Sequence, residues 1–138
     1  MAGLPAPPGV DGVSLVPLMT AEAARLDDGV ALGAEQLNQL KPQRAFSQYP
    51  AVHRPADSDA NVMGAAMRTE AWRYVAWCQY DWTRFRPNFE NCRGFELYDH
   101  TGIGASDVDS FDLVNLAEDP GHQDLRRQLH AEMVKFWV

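Results

Sequence analysis

No apolar run in this chain of 138 residues approaches the roughly 20 residues that a membrane-spanning helix needs. The first residues, Met1-Ala2-Gly3-Leu4-Pro5-Ala6-Pro7-Pro8, have neither the basic start nor the apolar stretch of a signal peptide, so none is expected here and the compartment stays open. Positive charge is scarce: 12 Lys and Arg stand against 19 Asp and Glu, a net charge of -7. With no basic face to neutralise phosphates, nucleic acid is excluded as a partner, and the acidic balance reads as solubility. Cysteine is scarce too, and Cys78 and Cys92 do not define a redox compartment. There is no internal repeat and no low-complexity segment. What remains is an ordinary apolar fraction and one domain's worth of chain or less.

Signatures of chemistry are also missing. There is no Gly-x-Ser-x-Gly elbow; Ser14 falls in a run read as extended and Ser47 in a strand. Gly102-Ile103-Gly104-Ala105 lacks the third glycine and the following helix of a phosphate loop. His53, His100, His122 and His130 are scattered and read as surface or helix-flank residues. Asp107, Asp109, Asp112 and Glu118 lack the glycine and the final glutamate of a calcium loop and read as a solvated acidic stretch. No catalytic residue and no metal ligand is therefore assigned.

The pattern that is present divides at about residue 44. Residues 1–43 are irregular with short helices. Their Pro-rich start, through Val13-Ser14-Leu15-Val16-Pro17-Leu18, reads as extended or looped chain. Residues 20–40 carry helix formers, interrupted at Asp27-Asp28-Gly29. Residues 44–138 change to period two: Ala45–Tyr49, Val62–Arg68, Trp72–Tyr80 and Gly94–Tyr98 each read as a strand. Thr69–Ala71 is short enough for a hairpin, whereas Asp81–Arg93, with Pro87, Asn88 and Asn91, reads as a longer connection. The alternation puts Phe46, Met63, Met67, Val75, Trp77, Phe95 and Leu97 on one face. Asp119 is a good N-cap and Pro120 a good first residue for a last helix, along which Leu125, Leu129, Met133 and Phe136 form an apolar stripe. The fold class is α+β: a small antiparallel sheet of about four strands covered by a C-terminal helix. If Tyr80 pairs near Gly94, Cys78 falls opposite Glu96 and away from Cys92, which favours two free thiols.

Four blocks resemble, in order, the C-terminal part of the sulfatase family, closest to its iduronate sulfatase branch. They are Ala2-Gly3-Leu4-Pro5 with Gly12–Leu18; Ala45-Phe46-Ser47-Gln48-Tyr49-Pro50; Met63-Gly64-Ala65-Ala66-Met67-Arg68-Thr69 with Trp72-Arg73-Tyr74 and Trp77; and Glu96-Leu97-Tyr98-Asp99-His100 with Asn115-Leu116-Ala117 and Asp119-Pro120. Residues 20–41 match least. The resemblance implies the smaller C-terminal subdomain of an alkaline-phosphatase-like sulfatase fold, which follows a large catalytic domain that hydrolyses sulfate esters of sugars. The family uses a formylglycine, made from a Cys/Ser-x-Pro/Ala-x-Arg motif, and a calcium ion. Cys78-Gln79-Tyr80 and Cys92-Arg93-Gly94 are not that motif, and Asp27-Asp28 follows a helical stretch rather than the buried strand that carries the family's acidic pair. Both cofactors are therefore expected from the missing catalytic half, the implied partner, with sulfated carbohydrate as the ligand of the intact enzyme. Gln48, Tyr49 and Glu96 are the residues expected nearest the rim of its substrate cleft. The alternatives are a non-catalytic interaction module and one chain of a split sulfatase.

Overall fold

A computed structural model describes residues 14–28, 35, 36, 39, 43–50, 61–102 and 112–138. The chain divides into two compact units, Met1–Pro42 and Gln43–Val138.

In the first unit, α1 (Val16–Asp28) begins inside the stretch expected to be extended. Two of its residues explain why. Pro17 lies in the first turn, where a missing N–H costs nothing. Ser14 Oγ accepts the Val16 N–H at 3.3 Å, satisfying one of the donors a helix start leaves over. The helix then runs through Ala21-Glu22-Ala23-Ala24, good helix formers.

In the second unit, four strands among the described residues form one antiparallel sheet in chain order: β1 (Ala45–Pro50), β2 (Val62–Arg68), β3 (Trp72–Asp81) and β4 (Arg86–Asp99). β2 and β3 meet in the expected hairpin, its turn closed by Thr69 N–H to Trp72 O at 2.8 Å and by Trp72 N–H to Thr69 Oγ1 at 2.9 Å. A 3₁₀ turn, Pro120–His122, leads into α2 (Gln123–Trp137). The Asp119-Pro120 start is as expected, but its chemistry differs: the Asp119 carboxylate binds the His122 imidazole rather than a backbone N–H.

Three expectations about the sheet are corrected. β4 starts at Arg86, so most of Asp81–Arg93 is strand rather than connection. Pro87 is tolerated because it sits on an outer strand, where no further strand needs its missing donor. A bulge then shifts the register, so that Cys78 pairs with Cys92 while Gln79 pairs with Asn88. The second correction follows from this: Glu96 pairs with Val75, and Cys78 and Cys92 form a disulfide instead of remaining free.

The third concerns the faces. The β2–β3 turn puts Arg68 opposite Arg73 and Met67 opposite Tyr74, so odd positions of β2 share a face with even positions of β3. Phe46, Met67, Tyr74 and Leu97 form one row, and Ala65, Ala76 and Phe95 the next. Val75 and Trp77 therefore lie on the opposite face. α2 covers the first face with Leu129 and Met133, which join Met67, Tyr74, Ala76, Cys78 and Leu97 in one buried core. Leu125 and Trp137 pack at its edge, and Phe136 stacks on Phe46 with ring centroids 3.7 Å apart.

Candidate functional site

The face that α2 leaves uncovered carries a connected set of polar and aromatic side chains. Its cross-strand rows are Tyr49–Gly64–Trp77–Gly94, Ala66–Val75–Glu96 and Arg68–Arg73–Tyr98. Trp77 is flanked by two glycines, and its indole lies directly over Gly64: a Cβ there would meet the ring at 2.7 Å. A glycine inside a strand often marks such a close approach. The indole Nε1–H donates to Glu96 Oε1 at 2.7 Å.

Tyr98 continues the network. Its hydroxyl also bonds Glu96, and its pKa is raised, chiefly by burial and then by the charge of that carboxylate. The Arg73 guanidinium lies 5.6 Å from the Tyr98 ring centroid and pairs with Asp112. Asp112, at φ 58°, reaches the buried His100 through Oδ1 to Nε2 at 2.8 Å. His100 is thus an internal residue, against the expectation of a surface one; its pairing with a carboxylate offsets the cost of burial.

His130 lies on a flank of α2, one of the two expected placements. It is half-buried between the helix and the sheet, with Nδ1 2.9 Å from the Tyr74 hydroxyl. Burial first, and then the Arg126 cation, lower the imidazole pKa. Burial also raises the phenol pKa. Tyr74 therefore keeps its proton and donates it to a neutral imidazole. Arg126, in the same groove, is committed to the Ala117 carbonyl at 3.2 Å and the Glu118 carboxylate at 3.1 Å, with its guanidinium over the Phe95 ring. This cluster fastens the helix to the sheet.

The three expected rim residues do not converge. Tyr49 and Glu96 share the uncovered face in adjacent rows, with Trp77 of the Tyr49 row bonded to Glu96; Tyr49 is exposed and Glu96 half-buried. Gln48, exposed on the outer strand β1, pairs with Ala65 and points to the other side. Trp77, Tyr98 and Arg73 are central to the network and were not singled out as site residues; Gly64 and Gly94 beside Trp77 were the available signal.

Among the described residues no three His, Cys, Asp or Glu side chains group as a metal site; His53, Asp107 and Asp109 lie outside them. Asn115-Leu116-Ala117 has a structural role: Asn115 Oδ1 accepts from Leu97 N–H and Ala117 N–H, both at 3.0 Å, and Leu116 N–H donates to Leu97 O at 2.8 Å. The segment seals the outer edge of β4.

Comparison with known proteins gives a relative for part of this arrangement. The chain is 33% identical over 114 residues to iduronate 2-sulfatase of Mus musculus, a stretch covering 71% of this chain and 20% of that protein. The chain thus spans about a fifth of the length of the curated relative it matches. No protein-family model matches the sequence. The similarity links the chain to sulfatases through a part of one, and the four-stranded sheet with its helix is compatible with a sulfatase C-terminal region. Among the described residues no helix is long and apolar enough to cross a membrane.

Proposed function

We propose that this chain is the C-terminal subdomain of a sulfatase that acts on sulfated sugars, similar to iduronate sulfatase. Its role is to complete a catalytic part that supplies the formylglycine and the calcium ligands. The observation that carries this reading is the 33% identity to iduronate 2-sulfatase over 71% of the chain. The uncovered sheet face is the surface for that contact. Its Trp77 and Tyr98 offer partly exposed ring area, and Glu96 and Arg73 offer polar groups already paired with Trp77 and Asp112. Tyr49 on β1 and Glu96 on β4 belong at the substrate rim, where they would meet sugar hydroxyls rather than the sulfate ester; Gln48, on the other side of the sheet, stands apart from them.

The chain alone has no sulfatase activity under this reading. A chimera tests it: the corresponding fifth of mouse iduronate 2-sulfatase is replaced by this chain, and folding and sulfate release are measured. A soluble chimera that releases sulfate supports the reading. A chimera that never becomes soluble and active, or turnover of an aryl sulfate by the chain alone, overturns it.

A further inference from the structure

On the covered side of the sheet a cavity of about 330 Å³ opens beside α2, lined by Tyr74, Phe95, Arg126, Arg127 and His130. Two strands and the helix thus contribute to a single space. Tyr74 of β3 and Phe95 of β4 have nearly parallel rings, with centroids 6.4 Å apart. Arg126 and His130 stand one helical turn apart on α2. The imidazole meets both rings edge to face, with centroids at 6.1 Å and 5.9 Å. The Arg126 guanidinium lies over the Phe95 ring, 4.8 Å from its centroid.

The lining holds more hydrogen-bond donors than the fold uses. Arg126 bonds the Ala117 carbonyl and the Glu118 carboxylate through Nη1 alone. Its Nε and Nη2 make no hydrogen bond among the described residues. The Glu118 side chain is 84% exposed, so water weakens its hold on Arg126. Arg127 pairs with Asp124, and both side chains stand in solvent. His130 accepts the Tyr74 proton at Nδ1, at 2.9 Å, which leaves the hydrogen of the neutral ring on Nε2. Nε2 has no acceptor among the described residues. Neither it nor the open Arg126 nitrogens are shut away from solvent. In a chain of net charge -7, this is a place where an anion meets cations instead of repulsion. Donors of this kind beside aromatic walls are complementary to a carboxylate on a flat apolar body.

We propose that this cavity binds a small aromatic carboxylate. Arg126, through Nε and Nη2, takes the two carboxylate oxygens in the paired geometry that a guanidinium favours. His130 Nε2–H supplies a further donor, and Arg127 adds positive charge. The ring of the ligand packs against Tyr74 and Phe95, offset or edge-on as aromatic pairs prefer. Binding is coupled to a proton. The charged or titratable groups that meet the imidazole are Tyr74 from β3 and Arg126 from its own helix, with Arg127 on the same cavity; β4 brings the rings of Phe89 and Phe95. Burial first, and then the Arg126 cation, lower the imidazole pKa. A carboxylate on Arg126 cancels the second of these, so the imidazole takes up a proton as the ligand binds. Nδ1–H then donates to the Tyr74 oxygen, reversing that bond and releasing the phenol proton for another acceptor. Affinity therefore rises as pH falls toward the folded imidazole value. The site is independent of the sulfatase reading, which uses the opposite face of the sheet.

The test is calorimetric titration of the 138-residue chain with benzoate, and with acetate and benzyl alcohol, which lack the ring and the charge respectively. We expect saturable benzoate binding, about fivefold or more tighter than either control. It should tighten about threefold or more between about pH 7.5 and about pH 5.5. Arg126→Lys keeps the charge but loses the fork, and should weaken binding about fivefold or more. His130→Gln still accepts from Tyr74, and should leave a weaker site whose affinity no longer changes with pH. Circular dichroism checks that each variant folds; if Arg126→Lys does not, the His130→Gln arm decides alone. No saturable binding overturns the site. So does acetate binding as tightly as benzoate, which shows a charge effect without a cavity, or benzyl alcohol doing so, which shows an apolar groove without an anion site. Affinity that is flat with pH in the native chain, or a pH dependence that survives in His130→Gln, overturns it as well. The outcome of the chimera bears on none of these.

Discussion

The two faces of the sheet are built from the same four strands and solve the same problem differently. On one, Met67, Tyr74 and Leu97 are buried by a helix the chain itself provides, and dispersion and dehydration do most of the stabilising. On the other, Val75 is almost as well buried. Among the described residues, that face carries the long amphipathic side chains Trp77, Arg73 and Tyr98, tied to Glu96 and Asp112. The contrast teaches that the uncovered face is not a raw apolar patch. Its Glu96 and Arg73 are paired among the described residues, and its aromatic rings keep area for a partner.

Neighbouring residues on opposite faces make the sharpest test. Leu97→Ala opens a cavity under α2 and should cost about 2–5 kcal/mol in urea unfolding, whereas Tyr98→Ala should cost about 1 kcal/mol, because solvent can fill the space. Equal losses would abolish the distinction between the faces. Opening the Cys78–Cys92 link, by reduction or a Cys92→Ala change, strikes the covered face at its far end; for a loop of this size the loss should be about 3 kcal/mol, and an unchanged midpoint would show that the hairpin needs no closure. On the uncovered face, Gly64→Ala drives a methyl into the Trp77 ring and should cost about 1–3 kcal/mol. The double change Gly64→Ala with Trp77→Val should lose less than the sum of the two, and strict additivity would refute the close approach.

The smallest effect is a dependence on pH through His130. Its folded pKa is lowered, by burial first and by Arg126 second, so the unfolded chain takes up its proton at the higher pH. The stabilisation is complete above the ordinary imidazole value near 6.5 and is lost as pH falls through that value and below the folded one. The urea midpoint should decline over this window, and His130→Gln, which keeps an acceptor for Tyr74, should flatten the decline. An identical slope in the variant would assign the effect elsewhere.

Strand positions were legible where side chains alternate cleanly: Val62–Arg68 is read with its observed bounds, and Trp72–Tyr80 falls one residue short. The start of β4 was not legible, because Pro87, Asn88 and Asn91 are turn residues by composition and only the outer position of the strand makes them tolerable. The bulge that follows hides the disulfide, since pairing extrapolated from an unbulged hairpin separates the two cysteines. Facing was misread for a related reason. Trp77 and Val75 are the larger apolar residues of β3 and so look like core, but the even-membered β2–β3 turn assigns the core to Tyr74 and Ala76. The apolar stripe of α2 was plain at Leu125, Leu129 and Met133. The uncovered-face network was not, because a Trp–Glu–Tyr linkage across two strands has no signature along one of them.

Chain order and sheet order coincide from β1 to β4. Every strand pairing therefore joins neighbours in the chain, the arrangement with the shortest loops to close and the fastest expected assembly. The helix that shelters the apolar rows follows all four strands, at Gln123–Trp137. During synthesis from the ribosome the sheet is thus complete before its cover exists, and for that interval Met67, Tyr74 and Leu97 stand open to any other nascent chain. Truncations that remove the helix should be lethal to solubility long before they disturb the pairing of the strands.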